Sequence, residues 1–376
     1  MLAGGRGVTS ALLFEGGRSG YNASMSQKLR IAITGSGFMG RTHAEAARRA
    51  SGVEVVAVAG GSRSKTLAED YQIAWEPSAT SLFRRDDVDA VVITTPHHVH
   101  VEEALLAAEA KKHALVEKPL ATSVTDCDRM IEAFRQRGLV LAVGYHQRFR
   151  KSNRRVRELL QTGVIGKVRC IQTTALFDIE TMRNDNGFGG TWDWWTDPRS
   201  RAHILNSAPH NIDLCRWWLG VDIATVAAHC GNFREENPNE NTTMALWMLT
   251  DGTMVSFWSS SVCPYPSFPG ESFRFRLMGD GGIIDACPFG KIQLGTPKGM
   301  EVVFEQPDVA FDDPAQAFTA DGRMQAYTEQ MEAFANRVQG GDSSCGTAED
   351  GRAGVLAIEG MLDASAQSVT VRLPGS

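Results

Sequence analysis

The chain has 376 residues, 43% of them hydrophobic and 22% charged, with a formal net charge of −6. These proportions suit a globular protein of about two domains, and the acidic balance argues against nucleic acid as a partner. Cysteines at positions 127, 170, 215, 230, 263, 287 and 345 show no CxxC spacing, which fits a reducing, cytoplasmic compartment, and no apolar run approaches the ~18 residues a membrane helix needs.

Residues 1–25 are rich in glycine and broken by Arg6, Glu15 and Arg18. Their best apolar run, 11–14, is too short for a signal-peptide core. They read as a disordered leader, with Met25 as a candidate start. From Lys28 the pattern becomes regular. Strands are predicted at 29–34, 53–59, 90–94, 114–117 and 139–143, with helices at 38–50, 64–71, 99–110 and 125–137. Such alternation predicts a parallel sheet covered on both faces, an α/β Rossmann dinucleotide-binding domain over 26–147. A second domain is expected over 148–376. Ligands of such a sheet bind beyond the carboxyl ends of its strands.

The first strand ends in Gly35-Ser36-Gly37-Phe38-Met39-Gly40. In this GxGxxG the first glycine allows the turn, the second admits a pyrophosphate, and the third lets helix and strand approach. The helix N-terminus offers free N–H groups and partial positive charge to phosphate, through the Phe38 and Met39 backbone. An NAD site usually has Asp or Glu at the end of the second strand. That place reads Gly60-Gly61-Ser62-Arg63. Nothing there repels a 2′-phosphate, and Ser62 and Arg63 can bind one. NADP(H) is therefore favoured, with NAD(H) as the other possibility. A basic run, Arg148, Arg150, Lys151, Arg154, Arg155 and Arg157, reads as a solvated helix face beside an anionic cofactor.

Further strand ends carry Thr94-Thr95-Pro96-His97-His98-Val99-His100 and Glu117-Lys118-Pro119. With the glycine turn these resemble the glucose-fructose oxidoreductase / inositol dehydrogenase / MocA (Gfo/Idh/MocA) family, of which the EKP triplet is the most specific mark. The likeness continues through Gly144-Tyr145-His146-Gln147-Arg148-Phe149, Gly163-Val164-Ile165-Gly166 and His210-Asn211-Ile212-Asp213, covering nearly the whole chain from Lys28. It implies that the Rossmann domain is followed by an α+β domain with a large, mostly antiparallel open sheet. The local sequence agrees. Predicted strands at 242–249 and 254–260 flank Asp251-Gly252, a hairpin signal, and strands at 273–278 and 283–286 flank a glycine turn. Helices at 323–338 and 349–366 and a strand at 369–373 close the chain. An open sheet face needs cover, and the resemblance implies a homo-oligomer, dimer or tetramer, formed through it.

The resemblance also assigns roles. Thr95, Pro96, His97, His100, Glu117, His146 and Arg148 would line the cofactor. Lys118, at a strand end and fixed by Pro119, would have a lowered pKa beside a nicotinamide and exchange the hydroxyl proton. His210, expected to open a helix over 210–219, would hold the substrate oxygen or relay its proton. Asp213, one turn on, would face the same way. One departure stands out: the family usually carries Asp four residues before this histidine, and here the residue is Asn206. Trp192, Trp194 and Trp195, with Asp193, Asp197 and Arg199, suit a carbohydrate ring or form a core cluster; both readings stand. Arg183, Arg199, Arg201 and His203 would favour a carboxylated sugar. No HExxH or other metal-ligand spacing occurs, so no metal is expected. These features imply an NAD(P)-dependent dehydrogenase or reductase acting on a sugar, polyol or sugar derivative. The alternatives are a cofactor-retaining enzyme that cleaves glycosides by oxidation and elimination, and a non-catalytic ligand sensor.

Overall fold

The computed structural model describes residues 28–179, 193–234, 238–264, 267–306 and 321–375. The first domain runs β1 (Leu29–Thr34), α1 (Phe38–Arg49), β2 (Val53–Ala59), α2 (Ser64–Tyr71), β3 (Ala74–Glu76), α3 (Ala79–Phe83), β4 (Ala90–Ile93), a 3₁₀ turn His97–Val99, α4 (His100–Glu109), β5 (His113–Val116), α5 (Val124–Arg135) and β6 (Leu141–Val143). A second 3₁₀ turn, His146–Phe149, leads into α6 (Lys151–Gln161), β7 (Val168–Leu176), α7 (Asp193–Thr196), α8 (Ala202–Leu219), β8 (Ile223–Gly231), β9 (Thr242–Leu249) and β10 (Met254–Ser260). Then come β11 (Arg274–Gly279), β12 (Ile283–Ala286), β13 (Lys291–Thr296), β14 (Gly299–Glu305), α9 (Asp321–Val338), β15 (Gly346–Thr347), α10 (Ala348–Gln367) and β16 (Val371–Arg372).

The first sheet has the order β15-β6-β5-β4-β1-β2-β3. Strands β1 to β6 are mutually parallel. The central β4, Ala-Val-Val-Ile, is wholly buried, as a strand covered on both faces must be. The second sheet has the order β14-β13-β12-β11-β7-β10-β9-β8-β16 and is antiparallel except where β7 meets β10. β9 alternates strictly between buried and open residues, the period-2 mark of a sheet packed on one side. Its inner side lies on α8 and α10. Its outer side carries Met244, Leu246 and Met248, and exposed Met254, Met278, Ile283 and Met300 lie on neighbouring strands.

The two halves are not joined at residue 147 alone. β15 adds antiparallel to the edge of the first sheet, pairing Gly346 with Val143 and Thr347 with Ala142. A Cβ at Gly346 would lie 2.9 Å from Val143 Cγ1 and 3.0 Å from the Val143 carbonyl oxygen, so a larger residue would have to push the two strands apart. From α9, Met331, Phe334 and Ala335 join the apolar cluster of β1 and β2. The segment after residue 320 thus returns to the first domain.

Two sequence expectations change. The helix expected at 210–219 begins eight residues earlier, at Ala202, and carries Pro209 inside it. Proline there removes one helical hydrogen bond without ending the helix, because Ile204, Leu205, Ala208 and Ile212 bury one apolar face in the second core. The basic run is a solvated face only in part: Lys151 is exposed and Arg154, Arg155 and Arg157 are partly so, but its first two arginines are not. Arg148 and Arg150 are 6% and 7% exposed, because they lie in and just after the second 3₁₀ turn, between the domains.

Candidate active site

β1 delivers the glycine turn. Gly35 has φ +91°, and a Cβ on Gly40 would lie 2.1 Å from the Gly35 carbonyl oxygen. Gly37 is the N-cap of α1, without a side-chain cap, and a Cβ there would meet nothing within 4 Å. The first N–H groups of α1 therefore face open space, the cradle a pyrophosphate needs. A nicotinamide dinucleotide fits these residues. At the end of β2, Ser62 and Arg63 are exposed, and the Arg63 N–H donates to Ser36 Oγ at 3.1 Å, which ties the two turns together. The acid at the end of β3, Glu76, is occupied by Arg85 at 2.8 Å.

β5 ends in Glu117 and Lys118. Glu117 is buried; its Oε1 lies 2.7 Å from His43 Nε2 on α1, and its Oε2 accepts the Lys118 N–H at 3.0 Å. Burial opposes its charge, but His43 and Lys118 hold it below the usual carboxylate value. Lys118 Nζ donates to the Asn206 backbone oxygen at 2.9 Å and to its Oδ1 at 2.7 Å. Both acceptors belong to the residue after Leu205, whose carbonyl Pro209 leaves without its helical N–H. Lys118, Asn206 and His210 each keep part of their surface open. Packing around the amine nevertheless lowers it to about 8, against the opposing pull of Glu117. Two acceptors leave one direction on Nζ for a substrate hydroxyl.

His210 stands edge-on to His146, ring centroids 4.7 Å apart. His146 in turn stacks on Tyr327 of α9, at 4.1 Å and 18°. Burial, Lys118 and Arg150 hold His210 well below its usual value, so it is neutral at pH 7 and its Nδ1 has no partner among the described residues. Across the cleft, Arg323 donates to Thr42 Oγ1 at 2.8 Å and lies 4.6 Å from the Phe38 ring.

Several expected ligand contacts are instead built into the walls. His100 is fully buried, its nitrogens against the carbonyls of Pro119 (2.9 Å) and Thr95 (2.8 Å), and supports the Lys118 turn from behind. Arg148 is consumed by Asp213, with Nε to Oδ2 at 2.9 Å, and by Asp350 at 2.9 Å. Asp213 accordingly points to Arg148 rather than orienting His210. His203 is buried against Ser259 Oγ at 3.3 Å, and burial lowers it to about 3. Thr95 Oγ1 donates to buried Glu103 at 3.0 Å. Met39 packs toward Met324 and Tyr327. His97, behind Pro96, crosses to the second domain, with Nδ1 3.1 Å from the Ser200 carbonyl and its ring 5.0 Å from Trp194. Arg199 is exposed and paired with Asp197, and Trp195 is buried. Trp192 and Arg183 lie outside the described residues.

The structure adds His43, Arg150, Arg323 and Tyr327 to the site. Arg150 stood in the basic run; the others carry no local signal, because α1 and α9 meet only in the fold. Among the described residues no cluster of His, Cys, Asp or Glu could hold a metal, and no helix is long and apolar enough to cross a membrane.

Residues 29–145 match the model of an oxidoreductase family with an NAD-binding Rossmann fold, and 153–285 match the GFO/IDH/MocA C-terminal domain. The chain belongs to the Gfo/Idh/MocA oxidoreductase family. It is a nicotinamide-dependent oxidoreductase. Among its relatives is inositol 2-dehydrogenase 3 of Saccharopolyspora erythraea, 28% identical over 92% of this chain and 96% of that one. A 2,7-anhydro-N-acetylneuraminate hydratase of Mediterraneibacter gnavus is 34% identical, but over 36% of this chain and 37% of the relative. An Agrobacterium radiobacter oxidoreductase solved with NAD⁺, L-tartaric acid and magnesium superposes with a TM-score of 0.80 at 20% identity. It covers 92% of this chain and 98% of that one.

Proposed function

We propose that this enzyme transfers a hydride between NADP(H) and a carbinol of a sugar, polyol or sugar derivative, with Lys118 as the proton-transfer group. The observation that carries the reading is the Lys118 amine, lowered to about 8 and held by Asn206 beside His210. When bound, the nicotinamide supplies the hydride acceptor or donor. Neutral Lys118 takes the hydroxyl proton as a carbonyl forms, and returns it in the reverse direction. Neutral His210 holds the same oxygen. Phe38 and Met39 backbone groups hold the pyrophosphate, Glu117 lines the nicotinamide side, and Ser62 and Arg63 take the 2′-phosphate. The near-full-length inositol 2-dehydrogenase relative supports a polyol-like substrate. Nicotinamide absorbance with a panel of sugars, polyols and sugar acids tests the reading; no reduction with any of them overturns it.

The cofactor preference has its own test. Arg63→Ala is expected to raise KM for NADP⁺ at least tenfold, since a hydrogen bond to a charged group contributes about 1.5–3 kcal/mol, while KM for NAD⁺ hardly moves. Equal effects on both cofactors would remove Arg63 from the 2′-phosphate site.

The open sheet face supports a homo-oligomer. Register puts Met248, Met254, Cys170, Met278, Ile283, Gly295 and Met300 side by side across seven strands, an apolar row too long to leave in water. Met254→Glu is expected to yield monomers in light scattering at concentrations where the parent is a dimer or tetramer. A parent that is itself monomeric rules this out. Among the described residues no two cysteines are joined in a disulfide, which fits a reducing, cytoplasmic location.

A further inference from the structure

Arg150 is a buried cation without a counter-ion. It is 7% exposed, and among the described residues no carboxylate pairs with it and its Nε has no hydrogen-bond partner. Its guanidinium lies 4.4 Å from the Phe289 ring of the second domain and close enough to His146, His210 and Tyr327 to act on their charge states. The contrast with Arg148, two residues away, is direct: equally buried, it has both Asp213 and Asp350. Glu117, the carboxylate beside Lys118, is already occupied by His43 and the Lys118 N–H. A buried charge left unpaired is costly and persists where a ligand completes it. The α1 N-terminus, where a pyrophosphate would be held, carries Phe38 against Arg323, whereas the Arg150 guanidinium rests on Phe289.

We propose that Arg150 is a specificity-determining residue that binds a carboxylate on the substrate, so that this enzyme acts on sugar acids rather than neutral sugars. The inference rests on the hydride-transfer reading above and names the substrate class for the same site. A planar guanidinium takes a carboxylate through two parallel N–H bonds. With the acid group anchored there, a neighbouring carbinol is presented to His210 and Lys118. Burial lowers Arg150 only to about 10, so it is charged throughout the neutral range.

The test uses matched pairs that differ in one acid group, D-gluconate against sorbitol and D-glucuronate against D-glucose, with the full-length enzyme and NADP⁺. The parent is expected to favour the acid in kcat/KM, and in Arg150→Met the acid-over-neutral ratio should fall about 30- to 1,000-fold. Arg150→Lys, which keeps the charge and loses the fork, should fall between. Calorimetric binding of gluconate to the NADP⁺ complex gives a readout independent of turnover, and NADP⁺ affinity checks that each variant is folded. A parent that turns over the neutral partners as well as the acids overturns the carboxylate site and leaves hydride transfer standing. Arg150-dependent gluconate binding without any nicotinamide reduction does the reverse. Equal loss on acid and neutral substrates in Arg150→Met also overturns the proposal.

Discussion

Lys118→Met is expected to lower kcat/KM for carbinol oxidation by about 10²- to 10⁴-fold, the range that positioned acid–base groups contribute, while NADP⁺ still binds. The parent should show a pH limb near 8. The amine must be neutral to accept the hydroxyl proton, so oxidation rises as pH climbs through that value, and reduction falls over the same interval. The groups facing the amine define the shift. Glu117 pulls it up, burial pushes it down, His97 and His210 are held neutral, and Asn206 adds two acceptors without charge. Asn206→Asp therefore makes the sharper test. A carboxylate at that distance favours the ammonium and should move the limb up by about one to three pH units. A limb that stays near 8 in Asn206→Asp assigns it to some other group, and a Lys118→Met enzyme with unchanged rate removes the lysine from proton transfer.

The largest expected effect on stability falls on the other side of the same junction. Arg148→Met leaves Asp213 with no exposure and, among the described residues, no ion-pair partner in contact, and breaking a buried pair in this way costs about 3–5 kcal/mol. Asp350 loses one of two arginines; Arg216 remains at 3.1 Å. Denaturant titration should show the loss as a lower midpoint at unchanged slope. The double replacement Arg148→Met with Asp213→Leu should recover part of it, because the stranded carboxylate is gone. A single variant within 1 kcal/mol of the parent would mean the pair is better solvated than its burial indicates.

Most of the fold could be read from local patterns because those patterns are short-range. Continuous apolar runs such as Ala90–Ile93 mark doubly covered strands, and Asp251-Gly252 marks the β9–β10 hairpin. β3 and α3 went unread because they are three and five residues long. β14, mostly exposed, shows no buried face to detect. The start of α8 was misplaced because Pro209 looks like a first-turn residue, and only the packing of Ile204 and Leu205 overrides it. In the site, Lys118, Asn206 and His210 were legible from their motifs; the structure bonds Lys118 to Asn206 and brings Lys118 near enough to act on the charge of His210. Asp213 and Arg148 were legible as residues of the junction but not as each other's partners, since 65 residues separate them. His43 and Tyr327 were beyond reach for the same reason.

The short pairing of β15 with β6 bears on how the protein is made. A first domain that begins at residue 29 receives its last strand only at residue 347, and part of its core comes from α9. Domains usually fold in order as they leave the ribosome. Here the N-terminal one emerges with an open strand edge, and such edges pair with whatever is near. Residues 148–345 must be synthesised before that edge is covered, so the nascent chain is expected to need shielding longer than two separately folding halves would.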